Sequence, residues 1–122
     1  MADHQGLCIG LDVGTSGVKA VLIAEDGRIV ASATSDYPLL VPRPGWTEQE
    51  PEAWWRAGCE VLRRLVAQAP GPIEAIGLTG QMHGAVFLDG DGAVIRPAIL
   101  WNDQRTAAEC AKIERAVGSE RL

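Results

Sequence analysis

The sequence predicts a mixed α/β domain, built on a sheet that contains an antiparallel three-strand meander and is incomplete toward the C-terminus. Three observations predict it. Strand-length apolar segments follow one another through residues 6–12, 18–24 and 28–35, joined by turns too short for a crossover. An amphipathic stretch of helical period opens at Pro51, and further strand segments and a second helix follow it. Hydrophobic types make up 47% and charged types 22% of the 122 residues, the mix of one globular domain rather than of a disordered or collagen-like chain.

Each element has its own warrant. Leu7, Cys8, Ile9 and Leu11 form an apolar run that ends at Asp12, which reads as a buried strand. Gly14-Thr15-Ser16-Gly17 is a tight turn. The second strand places Val18, Ala20 and Leu22 on one face and Lys19 on an exposed one. Glu25-Asp26-Gly27 signals a hairpin. The third strand alternates Ile29, Ala31 and Ala33 against Arg28, Ser32 and Thr34. Residues 36–50 hold Pro38, Pro42, Pro44 and Gly45 and form a loop, which Tyr37, Leu39, Leu40, Val41 and Trp46 tie to the domain.

Pro51 then opens a helix at a position where its missing N–H costs nothing. Glu52 complements the positive helix end, and Glu50 is a poor cap. Trp54, Val61, Leu62 and Leu65 recur at helical spacing, broadened by Trp55 and Val66, and both tryptophans are expected in the core. Gly58 inside this helix costs about 1 kcal/mol against alanine, which points to a close approach to the sheet. Pro70-Gly71-Pro72 ends the helix. Residues 73–79 and 84–88 read as a fourth and a fifth strand, 89–92 as a surface turn and 93–100 as an extended piece. The second helix is expected to be capped by Asn102 or Asp103, to carry Cys110, Ile113 and Val117 on one face, and to stop at Gly118. This order leaves a sheet edge waiting for more chain, so the sequence reads as a fragment.

Composition narrows the function classes. The formal net charge is −5, and residues 1–60 carry 4 basic and 9 acidic side chains against 7 and 7 in residues 61–122. An acidic half without a basic, aromatic-studded stripe argues against nucleic acid and anionic membranes as partners. It leaves room for a phosphate ligand that arrives with a divalent cation. Cys8, Cys59 and Cys110 form no CxxC pair and read as buried free thiols in a reducing compartment. The polar start, Met1 to Gln5, lacks the apolar core of a signal peptide, and no run reaches the ~20 apolar residues of a membrane span. A cytoplasmic location is expected.

Four segments could carry chemistry. Asp12-Val13-Gly14-Thr15-Ser16-Gly17-Val18-Lys19 places a carboxylate at a strand end before a glycine-opened turn. Such a turn can cradle phosphate oxygens while Asp12 holds a hydrated magnesium ion. The plainer reading is a hairpin whose aspartate caps the turn. Gly80-Gln81-Met82-His83-Gly84 lies between predicted strands, where Gln81 and His83 suit the hydroxyls of a sugar. The alternative is a structural histidine, with Met82 packed against a neighbour. In Trp101-Asn102-Asp103-Gln104-Arg105-Thr106, Trp101 can cover the apolar face of a small ligand while Asn102, Asp103 or Arg105 bonds its hydroxyls. The alternative is a capped helix start with a local Asp103–Arg105 ion pair. Pro44 to Glu50 adds Trp46, which fits a sugar site or a pinned loop equally. There is no GxGxxG, GxxxxGK[ST] or HExxH, and no Ser-His-Asp arrangement.

These residues together carry a resemblance. The segment from Ile9 to Lys19 is similar to the first phosphate motif of the FGGY carbohydrate kinases, a group within the fold shared by actin, hexokinase and the Hsp70 chaperones. Pro44-Gly45-Trp46-Thr47-Glu48-Gln49-Glu50-Pro51 with Trp54-Trp55 resembles the segment before that family's first long helix. Gly80-Gln81-Met82-His83-Gly84 points to its xylulokinase branch, since glycerol kinases usually carry arginine and glutamate at Met82 and His83. Ile99-Leu100-Trp101-Asn102-Asp103-Gln104-Arg105 completes the pattern.

The resemblance implies a ribonuclease H-like (actin-like ATPase) domain, the sugar-binding N-terminal one of two, with the ATP-binding domain absent from residues 1–122. It implies ATP and Mg2+ as cofactors and D-xylulose or a similar ketose as substrate. Asp12 would lie by the magnesium and the transferring phosphoryl group, and Gly14, Thr15 and Ser16 by the nucleotide phosphates. Gln81, Met82, His83 and Trp101 would meet the sugar, and Asn102, Asp103 and Arg105 would complete or support its pocket. Family members are several times longer, and their proton-accepting aspartate would lie beyond Leu122, so the chain alone is expected to be inactive. Ribulokinase- or gluconokinase-type activity and a non-catalytic actin-like binding module are the alternatives. Apolar surface left by a missing second wall favours self-association, and a homodimer is among the assemblies it allows.

Overall fold

The computed structural model describes residues 6–118 and 120, so His4 and the expectations for the first five and last few residues lie outside it. The chain divides into two compact units: Met1–Pro38 with Glu50–Met82, and Leu39–Gln49 with His83–Leu122.

The first unit is a four-stranded mixed sheet under one helix. β1 (Leu7–Val13), β2 (Gly17–Ala24) and β3 (Ile29–Asp36) form the predicted antiparallel meander. The helix α1 (Pro51–Val66) carries the chain back so that β5 (Ile73–Gly80) joins β1 in parallel, giving the order β3-β2-β1-β5. Strand periodicity decides what is buried. Leu7, Ile9 and Leu11 of β1 and Val18, Ala20, Leu22 and Ala24 of β2 point to one side. There they meet Ala57, Val61 and Leu65 of α1. Burying a leucine or valine of this kind contributes about 1.5–3 kcal/mol, so this contact is the core of the unit.

The alternation that makes this core also corrects the sequence reading. β1 is buried on one face only, so Cys8 and Asp12 stand on the open face, and Cys8 is exposed rather than buried. Cys59 is half-buried and Cys110 exposed. A register irregularity between Leu22 and Ile23 turns Ile29 outward and leaves Val30, Ala31 and Ala33 against the core. Trp54 packs against the core as expected, but Trp55 is 70% exposed. A Cβ on Gly58 would meet nothing within 4 Å, so no close approach requires that glycine. The helix stops at Val66, before the prolines, with the Ala67 N–H bonded to Arg63 O.

The second unit is mostly irregular. β4 (Glu48–Gln49) pairs antiparallel with β6 (Ala98–Ile99). Residues 84–88 form no strand; only isolated bridges join Ala85 to Ile99 and Leu88 to Val94. The helix α2 (Ala107–Val117) begins after Thr106, later than expected, because the Asp103 carboxylate closes a local turn onto the Arg105 N–H instead of capping it. Gly118 ends it with a positive φ of 82°. The face bearing Cys110, Ile113 and Val117 is not buried in the described residues.

Candidate functional site

The open face of the first unit is built by register. Asp12 stands opposite Lys19 on β2 and Thr79 on β5, so the three share one row across the sheet. The row behind it holds Gly10, Val21 and Gly77, and the two glycines keep a trough of about 450 Å³ open beside Asp12. The aspartate is solvent-exposed there, so it does not bear the burial cost that the sequence alone suggested.

The turn after β1 is tightly braced. The Gly14 N–H donates to Gly17 O at 3.0 Å. The Tyr37 hydroxyl donates to Gly14 O, and its N–H donates to Ser16 O at 3.3 Å. Tyr37 is buried; burial first, and then the Asp12 charge, raises its pKa above the usual phenol value. A Cβ on Gly17 would lie 2.7 Å from Ser35 O, so only glycine lets the turn approach β3 this closely. A Cβ on Gly14 would lie 3.9 Å from Asp12 Oδ2, which places the carboxylate over the turn. Thr15 is half-buried in this turn and Ser16 exposed. Such a turn fits phosphate oxygens. One exposed carboxylate fits magnesium, which keeps most of its water and leans on substrate phosphates. No cluster of three or more His, Cys, Asp or Glu residues that would cage a metal occurs among the described residues.

The second motif splits between the units. The Gln81 N–H donates to Val13 O at 2.8 Å, which extends the β1–β5 pairing and sets Gln81 beside the turn. Met82 follows it and is 70% exposed, so it does not pack against a neighbour. His83 belongs to the second unit and has a φ of 61°, a left-handed conformation that costs a non-glycine residue about 1–2 kcal/mol.

The third motif lies wholly in the second unit. Trp101 is exposed, and Asn102 is half-buried with its Oδ1 accepting from the Thr47 hydroxyl at 2.8 Å. Asp103 and Arg105 form the local ion pair of the alternative reading, bidentate through Nε at 2.8 Å and a terminal nitrogen at 2.7 Å. The same guanidinium reaches Glu48 at 2.8 Å and lies 3.8 Å from the centroid of the Trp46 ring. Arg105 and the Thr47 N–H together hold the Asp103 carboxyl well below the usual carboxylate range. Trp46 thereby takes the pinned-loop reading, with Arg43 also on its ring at 4.9 Å. Tyr37, Thr47 and Glu48 were not singled out from sequence as site residues. Glu48 is buried where β4 pairs with β6 and bridges to Leu40, a placement that no local signal states.

Residues 7–122 match the family model described as the FGGY family of carbohydrate kinases, N-terminal domain. The chain is 46% identical over 115 residues to a xylulose kinase of Escherichia coli, covering 93% of this chain and 24% of that protein. It is 40% identical over 117 residues to a glycerol kinase of Gloeobacter violaceus, covering 95% and 23%. The crystal structure of xylulose kinase from Rhodospirillum rubrum superposes with a TM-score of 0.88 at 36% identity, over 94% of this chain and 24% of the other. The chain thus spans about a quarter of the length of the relatives it matches. No described helix is long and apolar enough to cross a membrane. The actin-like sheet, its braced glycine turn and the family match over nearly all of its length place this chain in the FGGY family of carbohydrate kinases, as their N-terminal domain.

Proposed function

We propose that this chain is the sugar-binding part of a cytoplasmic ATP- and Mg2+-dependent kinase that converts D-xylulose to D-xylulose 5-phosphate. The observation that carries the reading is the Asp12 carboxylate lying over the Gly14–Gly17 turn at the head of an open, glycine-lined trough. Asp12 would hold a hydrated magnesium ion and Thr15 and Ser16 would meet nucleotide phosphates through N–H and hydroxyl donors, while Gly14, whose own N–H is taken by Gly17 O, would let the backbone come close to them. When bound, the metal and nucleotide supply the phosphoryl group and spread its charge. Gln81, Met82, His83, Trp101 and Asn102 take the sugar, and Asp103 and Arg105 support them. The acceptor for the sugar proton comes from outside these 122 residues. Asp12 is a poor acceptor when it holds a hydrated cation.

A coupled ADP-release assay tests this on the full-length kinase and on the 122-residue chain. With D-xylulose the full-length protein is expected to turn over at about 1 per second or faster, and the chain alone to show negligible turnover. Similarity to a glycerol kinase favours a second reading, another FGGY sugar or polyol kinase. A panel of ketoses, gluconate and glycerol decides between them, and preference for anything but a ketose overturns the first.

A further inference from the structure

We propose that Thr47, Glu48 and Arg105 are positioning residues of the sugar site: through Asp103 they fix Trp101, and the Thr47 hydroxyl turns the Asn102 carboxamide so that its NH2 is the group offered to a sugar hydroxyl. This rests on the sugar-kinase reading above and adds residues and a bonding direction to it.

The segment that carries Trp101 is stitched to the loop before β4 on both sides. The Leu100 N–H donates to Thr47 O at 3.0 Å, and the Gln104 N–H donates to Gly45 O at 2.8 Å. Between these bonds the Thr47 N–H donates to Asp103 Oδ2 at 2.7 Å. Leu100 is buried while Trp101 is 57% exposed, so the backbone is anchored on the inside and the indole is presented outward. The Thr47 hydroxyl donates to Asn102 Oδ1, which fixes the carboxamide oxygen toward the loop and leaves the NH2 on the other branch.

Arg105 locks this arrangement from behind. Its side chain is 11% exposed, that of Asp103 3% and that of Glu48 9%. The guanidinium is committed to two carboxylates and to the Trp46 ring. Arg96 adds a second cation on Glu48 at 2.9 Å from the solvent side. A planar fork is needed to meet Asp103 through two nitrogens and Glu48 at the same time, which lysine cannot do. Removing the Arg105 guanidinium takes the cation from the buried Asp103 carboxylate, and removing Glu48 takes one of the two carboxylates that hold Arg105 in place, so the members act as a unit.

The test uses Thr47→Val, which keeps the shape and removes the hydroxyl, and Thr47→Ser, which restores it. In the full-length kinase we expect Thr47→Val to raise the sugar KM about tenfold, with the ATP KM within about twofold, and Thr47→Ser to recover the parent value. Glu48→Gln and Arg105→Lys should each raise the sugar KM, and the double variant should be little worse than either alone. In the 122-residue chain, the side-chain NH2 resonances of Asn102 should move in Thr47→Val and stay in Thr47→Ser. An unchanged sugar KM in Thr47→Val, or an equal rise in both KM values, overturns the proposal, as do unmoved Asn102 resonances. If the parent enzyme phosphorylates no sugar, the functional reading falls and the sugar role falls with it. The resonances then report the clamp by itself.

Discussion

His83 is the one described non-glycine residue with a positive φ, and it falls inside the motif that points to a sugar. A left-handed histidine is tolerated where the surroundings hold it there. We therefore expect His83→Gly to leave stability in urea unchanged or raised. His83→Val should lower it by about 1–2 kcal/mol, since a β-branched residue resists this conformation. Equal stability of the two variants would contradict that reading. Asp103 gives a second test at this scale. Its folded-state pKa is depressed, so its contribution to stability is complete above the unfolded value near ~3.9. It is lost as pH falls through the folded value. Asp103→Asn should therefore lower Tm at neutral pH, and the gap to the parent should narrow below about pH 4. A gap that stays constant into acid would show that the carboxylate is not paired as described.

At the scale of elements, α1 was legible in sequence because its apolar stripe and Pro51 are local signals. Leu65 is fully buried, and Leu65→Ala should cost about 2–5 kcal/mol. Trp55 lies on the same helix yet stays exposed, because α1 lies over β2 and β3 and not over β5. Gly58→Ala should raise stability by about 0.5–1 kcal/mol, since its Cβ would meet nothing, and urea denaturation of both variants checks the pair. A destabilised Gly58→Ala would mean that the helix sits closer to its neighbours than described. The meander was likewise written in short turns and alternation, whereas the sequence announced a mixed sheet without saying that β5 joins β1 in parallel, since that pairing is made across α1. Residues 84–88 were misread because Val86, Phe87 and Leu88 have strand-like composition but find no ladder. β4 was invisible because Glu48-Gln49 is short and polar, and its partner Ala98-Ile99 lies far along the chain.

At the scale of the molecule, the Asp12 turn was legible because glycine spacing states backbone geometry directly. Its brace was not, since Tyr37 joins the turn only after β3 has returned to β2. The clamp around Arg105 was half legible: a local pair with Asp103 was one of two readings of that segment, and the non-local partner Glu48 was in neither. On the side of the sheet that carries α1, an apolar groove of about 360 Å³ runs past Pro51, Trp54, Trp55, Leu62 and Leu78. Leu78 there is 73% exposed, on the edge strand β5. The central claim is that Asp12, exposed on the other face, serves chemistry rather than folding. Its most direct test is Asp12→Asn in the full-length kinase, followed by ADP release with D-xylulose and by thermal melting. We predict a fall in kcat of about 10²–10³-fold with Tm essentially unchanged. Parent-like turnover in Asp12→Asn would contradict the account.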